Sequence, residues 1–469
     1  MISRVTAEEQ MEAPINGQPD PGEWNGEQPD IHPSIARAFR ALDGLGRPWV
    51  LLRGEDDLVR PHGDVDILVA DGPLPRLDEL LAGAGFRRVV APGHGSHRFY
   101  FSYDATEDLW LKLDVVSEIS FGPFQQWHTL LAAGCLQRRI RNGLLWLPAT
   151  TEQAWLQLLH IMLDKGGAVR QGRMETLRVA GALASTDDVI AAYVDRQVGP
   201  GTAAQLLKLV RSGSVDDFRD PARRMASALT RNAPLRTRLT AVKNRVLRLI
   251  SPTFPGRFNR GLVVGVMGPA GAVKTTLLRR LGEAFPVPSR YVSLGKEGPG
   301  RWDGWLARIP GGQPGRQVIG QLRGALAAEY HYRRGRLVLV DRPAYDGALP
   351  GHAGPTVEVR SETALAVALA PEPDVLLVLD VPGEVMFAGN GGQPPEVLEK
   401  WRQARLETAR RFPNAWVVDA AQPQPALQRV ATGIVWGQVA GSSPGPAAAG
   451  QPGQSNQPGA PAPDAGGQP

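Results

Sequence analysis

The period of the apolar positions changes several times along this chain, and the changes divide it. Residues 1–33 have no period; they are rich in Glu, Pro, Gly and Asn and read as a flexible leader. Between Ser34 and about Leu147 the apolar runs are short. Trp49-Val50-Leu51-Leu52, Asp66–Val69 and Leu109–Val116 each predict a strand, and Pro75–Ala84 predicts a helix. This mixture predicts a small α/β domain over residues 34–150. From Thr151 the strand signal fades. Trp155, Leu158, Leu159, Ile161 and Met162 recur at helical spacing within Glu152–Lys165, and two further helices are expected over Thr186–Arg196 and Ala203–Arg211. Residues 151–260 therefore read as a helical connecting region. Its second half is basic: Ala222–Arg260 carries ten Arg and Lys residues and no acidic one. Such a stretch is either a solvated helix face or an amphipathic basic surface for anionic lipid, nucleic acid or a partner protein.

A different pattern begins at Gly261–Met267 and returns at Leu337–Val340, Val375–Leu379 and Ala415–Val418. These runs are continuously apolar, as parallel strands covered on both faces are, and helical segments separate them. A doubly wound parallel sheet over residues 261–437 follows. Residues 438–469 are Gly, Pro, Ala, Gln and Ser, a low-complexity tail that cannot form a core. The fold class expected is α/β, with a smaller N-terminal α/β domain and a helical middle.

Composition narrows this only a little. At 469 residues, two or three domains are expected. One cysteine, Cys135, excludes an intramolecular disulfide framework and a cysteine-based zinc cluster. A net charge of +5 is too small over this length to indicate nucleic acid. No apolar run approaches the ~20 residues that span a bilayer, and the polar leader does not resemble a signal peptide. A cytoplasmic protein is expected, with a homodimer as one assembly it would take.

The chemistry-bearing segment is Gly268-Pro269-Ala270-Gly271-Ala272-Val273-Lys274-Thr275-Thr276, between an apolar strand and a helical stretch, Leu277–Phe285. That is the context of a phosphate-binding loop. Backbone N–H groups of Gly268, Gly271, Ala272, Val273 and the residues that follow face the phosphates of ATP. Lys274 supplies a point charge at the β and γ phosphates, Thr275 a hydroxyl for Mg²⁺, and Thr276 extends the helix start. Val273 stands where a glycine is usual, and a β-branched residue there lowers affinity if the loop keeps its ordinary path.

Downstream segments in the same order resemble the thymidylate kinase family. Leu337-Val338-Leu339-Val340-Asp341-Arg342 is similar to that family's strand ending in Asp-Arg. The resemblance implies that Asp341 orients or deprotonates the acceptor or serves the metal, and that Arg342 binds an acceptor phosphate. Pro373–Val385, Pro395–Leu398 with Trp401-Arg402, and Val417–Ala420 resemble the family's later strands and lid. Gly298–Arg301 is a fainter match to an acceptor loop. The lid itself, Gly389-Asn390-Gly391-Gly392-Gln393, has none of the cations that clamp a transferring phosphoryl group; Arg402 or Arg405 would have to replace them.

In the N-terminal domain, Asp64 and Asp66 fall two apart in a predicted strand and share a face, and Asp114 lies on a later strand. Three convergent carboxylates suit two Mg²⁺ ions. With Gly54 upstream the arrangement resembles the nucleotidyltransferases of the DNA polymerase beta superfamily, although Glu55 replaces the small residue of their turn. Lys165 is a further basic candidate for a nucleotide, or a surface lysine.

The expected function is ATP- and Mg²⁺-dependent phosphoryl transfer to a phosphorylated or hydroxyl acceptor, a small molecule or a peptide. Lys274, Thr275, Asp341 and Arg342 would be its main residues. Two alternatives stay open: nucleotidyl transfer through Asp64, Asp66 and Asp114, and a degenerate nucleotide-binding regulatory or scaffold protein.

Overall fold

The computed structural model describes residues 30–55, 57–72, 74–169, 174–250, 261–269, 274–293, 312–341, 371–390 and 393–441. The chain opens with α1 (Pro33–Asp43), β1 (Trp49–Arg53), β2 (Val65–Val69) and α2 (Leu74–Gly83). Strands β3 (Arg87–Val89), β4 (Arg98–Asp104) and β5 (Leu109–Val116) follow. Two short hairpins, β6 (Ser120–Phe121) with β7 (Trp127–His128) and β8 (Ile140–Asn142) with β9 (Leu145–Leu147), flank α3 (Leu131–Gln137). Then come α4 (Thr150–Leu159), α5 (Met174–Leu183), α6 (Val189–Val198), α7 (Thr202–Ser212), α8 (Arg219–Asn232) and α9 (Pro234–Ile250). The last third contains β10 (Leu262–Met267), α10 (Lys274–Ala284), β11 (Ser289–Ser293), α11 (Gly312–Arg333) and β12 (Leu337–Asp341). It ends with β13 (Val375–Asp380), α12 (Gly383–Asn390), α13 (Pro395–Ala409), β14 (Ala415–Asp419) and α14 (Gln424–Ala440). No described helix is long and apolar enough to cross a membrane.

Two compact units divide at residues 72/73, 115/116 and 237/238. In the first, β1 and β2 pair antiparallel, and the helices α4 to α8 close one core. Trp155 of α4 is fully buried and donates its indole N–H to the Ser185 carbonyl at 2.9 Å. The expected helix Glu152–Lys165 changes form inside: α4 ends at Leu159 and a π turn runs over His160–Asp164. The cause is local. Asp164 accepts from the backbone N–H of Gly122 at 2.6 Å and bonds the His160 ring at 2.7 Å, which holds the wider turn in place. Lys165 caps that turn, exposed.

The second unit holds two sets of strands. β3, β4 and β5 form an antiparallel meander. β10 to β14 form a wholly parallel sheet in the order β11-β12-β10-β13-β14. Both of its faces are covered. Leu277, Leu278 and Leu281 of α10 and Leu427, Ile434 and Val435 of α14 pack with Val264, Val266, Leu339 and Leu377. On the other face Ala328 of α11 meets Val263, Val338 and Val340, and Ala409 of α13 meets Met267, Leu376 and Val378. This two-sided burial is why these strands are continuously apolar, and it bears out the α/β fold expected of this region. The meander joins the α10–α14 side through Trp110, whose ring lies 5.3 Å from Phe285 and 4.9 Å from Trp436. Such aromatic pairs contribute about 0.5–1.5 kcal/mol each beyond area burial.

Candidate functional site

The sheet order decides where a ligand can enter. From β10 the chain crosses to the β11 edge, and from β12 it crosses back to β13 on the other side. The strand order therefore reverses at β10, and doubly wound sheets bind their ligands in the crevice at the carboxyl ends of the strands at such a point. The residues that end β10 and β12 are Met267 and Asp341, with Val266 in register beside Asp341.

Gly268 follows β10 directly. A Cβ at this position would stand 2.9 Å from the Cβ of Leu379 on β13, so the close strand approach requires glycine. Lys274 is the first residue of α10 and is buried, 5% exposed. Its ammonium donates to the carbonyls of Gly268 and Pro269, each at 2.7 Å. The cation is thus held over the start of the loop, at the positive end of a helix, where anions are stabilised. Gly271, Ala272 and Val273 lie outside the described residues, as do Arg342 and the segment Gly298–Arg301. Thr275 and Thr276 are exposed in the first turn of α10.

Asp341 is the centre of the crevice. Its Oδ2 accepts from the Thr275 hydroxyl at 2.9 Å and from the Tyr291 hydroxyl at 2.6 Å. Its Oδ1 is buried and has no hydrogen-bond partner among the described residues. Leaving a buried polar atom unsatisfied costs about 1–3 kcal/mol, more for a charged group. A carboxylate with one oxygen fixed by two hydroxyls and the other open suits a divalent cation, as does the oxygen chemistry of Thr275 beside it. Tyr291 had no place in the sequence expectation: it lies in the edge strand β11, which is polar enough to carry no clear strand signal.

The neighbouring carboxylate, Asp380, is arranged differently. Arg402 of α13 grips it with a forked pair, Nε to Oδ1 at 2.5 Å and Nη2 to Oδ2 at 2.7 Å. The third donor of the fork goes to Glu399 at 2.8 Å, and Glu399 also accepts from the backbone N–H of Gly383 at 3.1 Å. The Asp380 carboxylate raises the Arg402 guanidinium further above its already high range. Arg402, with the backbone N–H of Gly383 second, holds Glu399 below the usual carboxylate range. This corrects one expectation. Arg402 does not stand free as a replacement lid cation, because its fork is committed to Asp380 and Glu399. Arg405 is buried in α13. Gly389 and Asn390 end α12, and residues 391–392 lie outside the described residues.

The N-terminal carboxylates are also engaged. Asp64 is exposed and precedes β2 rather than lying in it; Asp66 is within the strand. Arg53, its register partner on β1, reaches Asp66 at 2.7 Å. Gly54 turns the chain after β1 at φ +87°. Glu55 is bonded by the side-chain amide of Gln153 on α4, and its other oxygen is buried without a partner among the described residues. In the second unit Asp114 on β5 pairs with the ring of His97 at 2.8 Å. Among the described residues no three side chains of His, Cys, Asp or Glu come together as a metal site requires. The sequence showed the carboxylates but not Arg53 and His97, whose roles depend on strand register.

No family model matches the chain. Curated relatives do. The chain is 29% identical over 192 residues to the thymidylate kinase of Xanthomonas euvesicatoria pv. vesicatoria (strain 85-10), covering 37% of this chain and 83% of that protein. It is 30% identical over 194 residues to the thymidylate kinase of Xanthomonas oryzae pv. oryzae (strain PXO99A), with the same coverage of each. These matches support a kinase-like P-loop region and leave most of the chain unmatched.

Proposed function

Because the chain belongs to the thymidylate kinase family through this region, we propose that it transfers the γ-phosphoryl group of ATP, with Mg²⁺, to a nucleoside monophosphate. The observation that carries the reading is the Asp341 carboxylate, tied through one oxygen to Thr275, the neighbour in sequence of the buried Lys274, and open at the other. When bound, ATP would supply the phosphoryl group and Mg²⁺ would neutralise its charge. The chain's own residues do the positioning, which is most of catalysis in phosphoryl transfer. Lys274 provides a fixed cation at the loop. Thr275 and the open Oδ1 of Asp341 would hold the metal, and Tyr291 fixes the other oxygen of the carboxylate. Arg342, next in the chain after Asp341, binds the acceptor phosphate by the family resemblance. Thymidylate is the acceptor named by the relatives and the first to test, since a fold does not carry its substrate with it.

The test is transfer from ATP to thymidylate and the other nucleoside monophosphates, with ATP binding measured by calorimetry on the same protein. Lys274→Ala is expected to lower turnover by about a thousandfold or more and to weaken ATP binding. Tight ATP binding with no transfer to any monophosphate would sink the kinase reading in favour of a regulatory nucleotide-binding protein. The N-terminal carboxylates favour no second reading of equal weight, because Asp66 and Asp114 are already neutralised by Arg53 and paired with His97.

A further inference from the structure

Helix α9 is mounted with its polar side inward. Thr237 and Asn244 are buried, 6% and 4% exposed, while Leu235, Leu239, Val242, Val246 and Leu249 are between 47% and 76% exposed. The inward side is anchored. Arg248 donates to the Gly93 carbonyl at 2.8 Å, and a Cβ on Gly93 would stand 2.4 Å from the carbonyl oxygen of Asn244. The outward orientation is therefore enforced by a close backbone approach that only glycine allows.

At about 100° per residue the five apolar side chains fall within an arc of about 80°, opposite Thr237 and Asn244. Arg238 and Arg245 border that arc on one side, and Arg236 and Lys243 on the other. No acidic residue occurs in the helix. An exposed apolar stripe between two cationic rows is the arrangement of a helix that lies in the interfacial plane of a membrane. Its long side chains are placed to bury their stems and keep their charges at the headgroups.

We propose that α9 is a docking face for an anionic lipid surface. A second copy of the chain fits the stripe less well. The 4-3-4-3 spacing could form a coiled-coil seam, but identical helices would set basic rows against basic rows along both of its edges. An anionic membrane matches the apolar stripe and both rows at once.

The full-length chain is sedimented with vesicles of phosphatidylcholine alone and of phosphatidylcholine mixed with phosphatidylglycerol. Binding to the anionic vesicles is expected to exceed binding to neutral ones by about tenfold or more at low salt and to fall as salt rises. The double variant Val242→Glu/Val246→Glu is expected to lose about tenfold or more of this binding, and Arg238→Gln/Arg245→Gln to lose severalfold together with much of the salt dependence. All four positions are exposed in α9, so unchanged thermal melts and unchanged phosphoryl transfer check that the fold is intact. Equal binding to neutral and anionic vesicles, or wild-type binding by the Val242→Glu/Val246→Glu protein, overturns the proposal. So does a concentration-dependent dimer in sedimentation velocity that the same double variant abolishes, because the stripe is then covered by a second copy.

Discussion

Two sets of carboxylates look alike in the sequence and differ in the structure. Asp341, at the end of β12, has one oxygen on the Thr275 and Tyr291 hydroxyls and keeps the other buried with no hydrogen-bond partner among the described residues. Asp66 and Asp114, which the Asp-x-Asp pattern and the strand context singled out just as plainly, are engaged by Arg53 and His97. A carboxylate whose oxygens are already engaged has less to offer a metal or a phosphate. One that is desolvated and unmatched has paid the desolvation cost in advance. The difference is one of partners, and partners are set by register and by which strand ends meet.

The largest expected effect breaks that comparison directly. Asp341→Asn keeps the shape and removes the charge that would hold a cation. It is expected to lower phosphoryl transfer by about a hundredfold to a thousandfold. Asp114→Asn and Asp66→Asn are expected to leave transfer within about twofold, because neither carboxylate belongs to the β10–β12 crevice; their cost falls on stability, by about 1–3 kcal/mol. Steady-state turnover with ATP and thymidylate, alongside denaturant melts of the same three proteins, gives both numbers. Equal losses of turnover in Asp341→Asn and Asp114→Asn would remove the distinction.

The asymmetry also shows how far the sequence reaches. The four apolar runs that became β10, β12, β13 and β14 were legible because burial on both faces leaves no polar position in them. Lys274 and Thr275 were legible because a phosphate loop needs its residues consecutive. β11 and β4 were not: Ser289–Ser293 is a sheet edge, and Arg98–Asp104 mixes aromatic with polar side chains on a half-buried strand. Tyr291 was lost with β11. The Arg402–Asp380 fork joins residues 22 positions apart through a strand-to-helix packing that no local pattern encodes. The outward face of α9 was invisible for another reason. Periodicity gives the arc of a stripe but not the side of the helix that meets the protein; that was fixed by Gly93, about 150 residues earlier in the chain.

A smaller effect sharpens the contrast between open and matched carboxylates within the crevice domain itself. Arg402→Gln leaves Asp380 without its forked partner and releases Glu399 from the same guanidinium. The pair is partly exposed, so water recovers much of the loss. Destabilisation of about 1–2 kcal/mol is expected, read as a lower urea midpoint with an unchanged slope. If turnover instead falls as far as with Asp341→Asn while the midpoint holds, Arg402 leaves Asp380 during the reaction and acts as the missing lid cation after all.

The smallest effect concerns the loop that seats α9. His94 hydrogen-bonds the Ala91 carbonyl at 3.0 Å and meets Phe99 edge-on at 5.4 Å. Burial holds its imidazole below the ordinary value of 6.5; the Ala91 carbonyl opposes this, and the Arg248 guanidinium and His97 push the same way as burial. The sign follows from linkage. With the folded value below the unfolded one, the unfolded chain binds more protons between the two, so stability rises with pH across that window. The neutral ring costs nothing above the unfolded value; the penalty begins as pH falls through about 6.5 and is complete below the folded value. One such group changes stability by at most about 1.4 kcal/mol per pH unit. His94→Gln keeps a donor for Ala91 but cannot take up the charge. Urea midpoints measured from pH 7.5 to 5 should therefore fall less steeply in His94→Gln than in the wild type, and coincide in slope above pH 7. Parallel curves throughout would mean that the ring is solvated and that the loop under α9 opens before the histidine is charged.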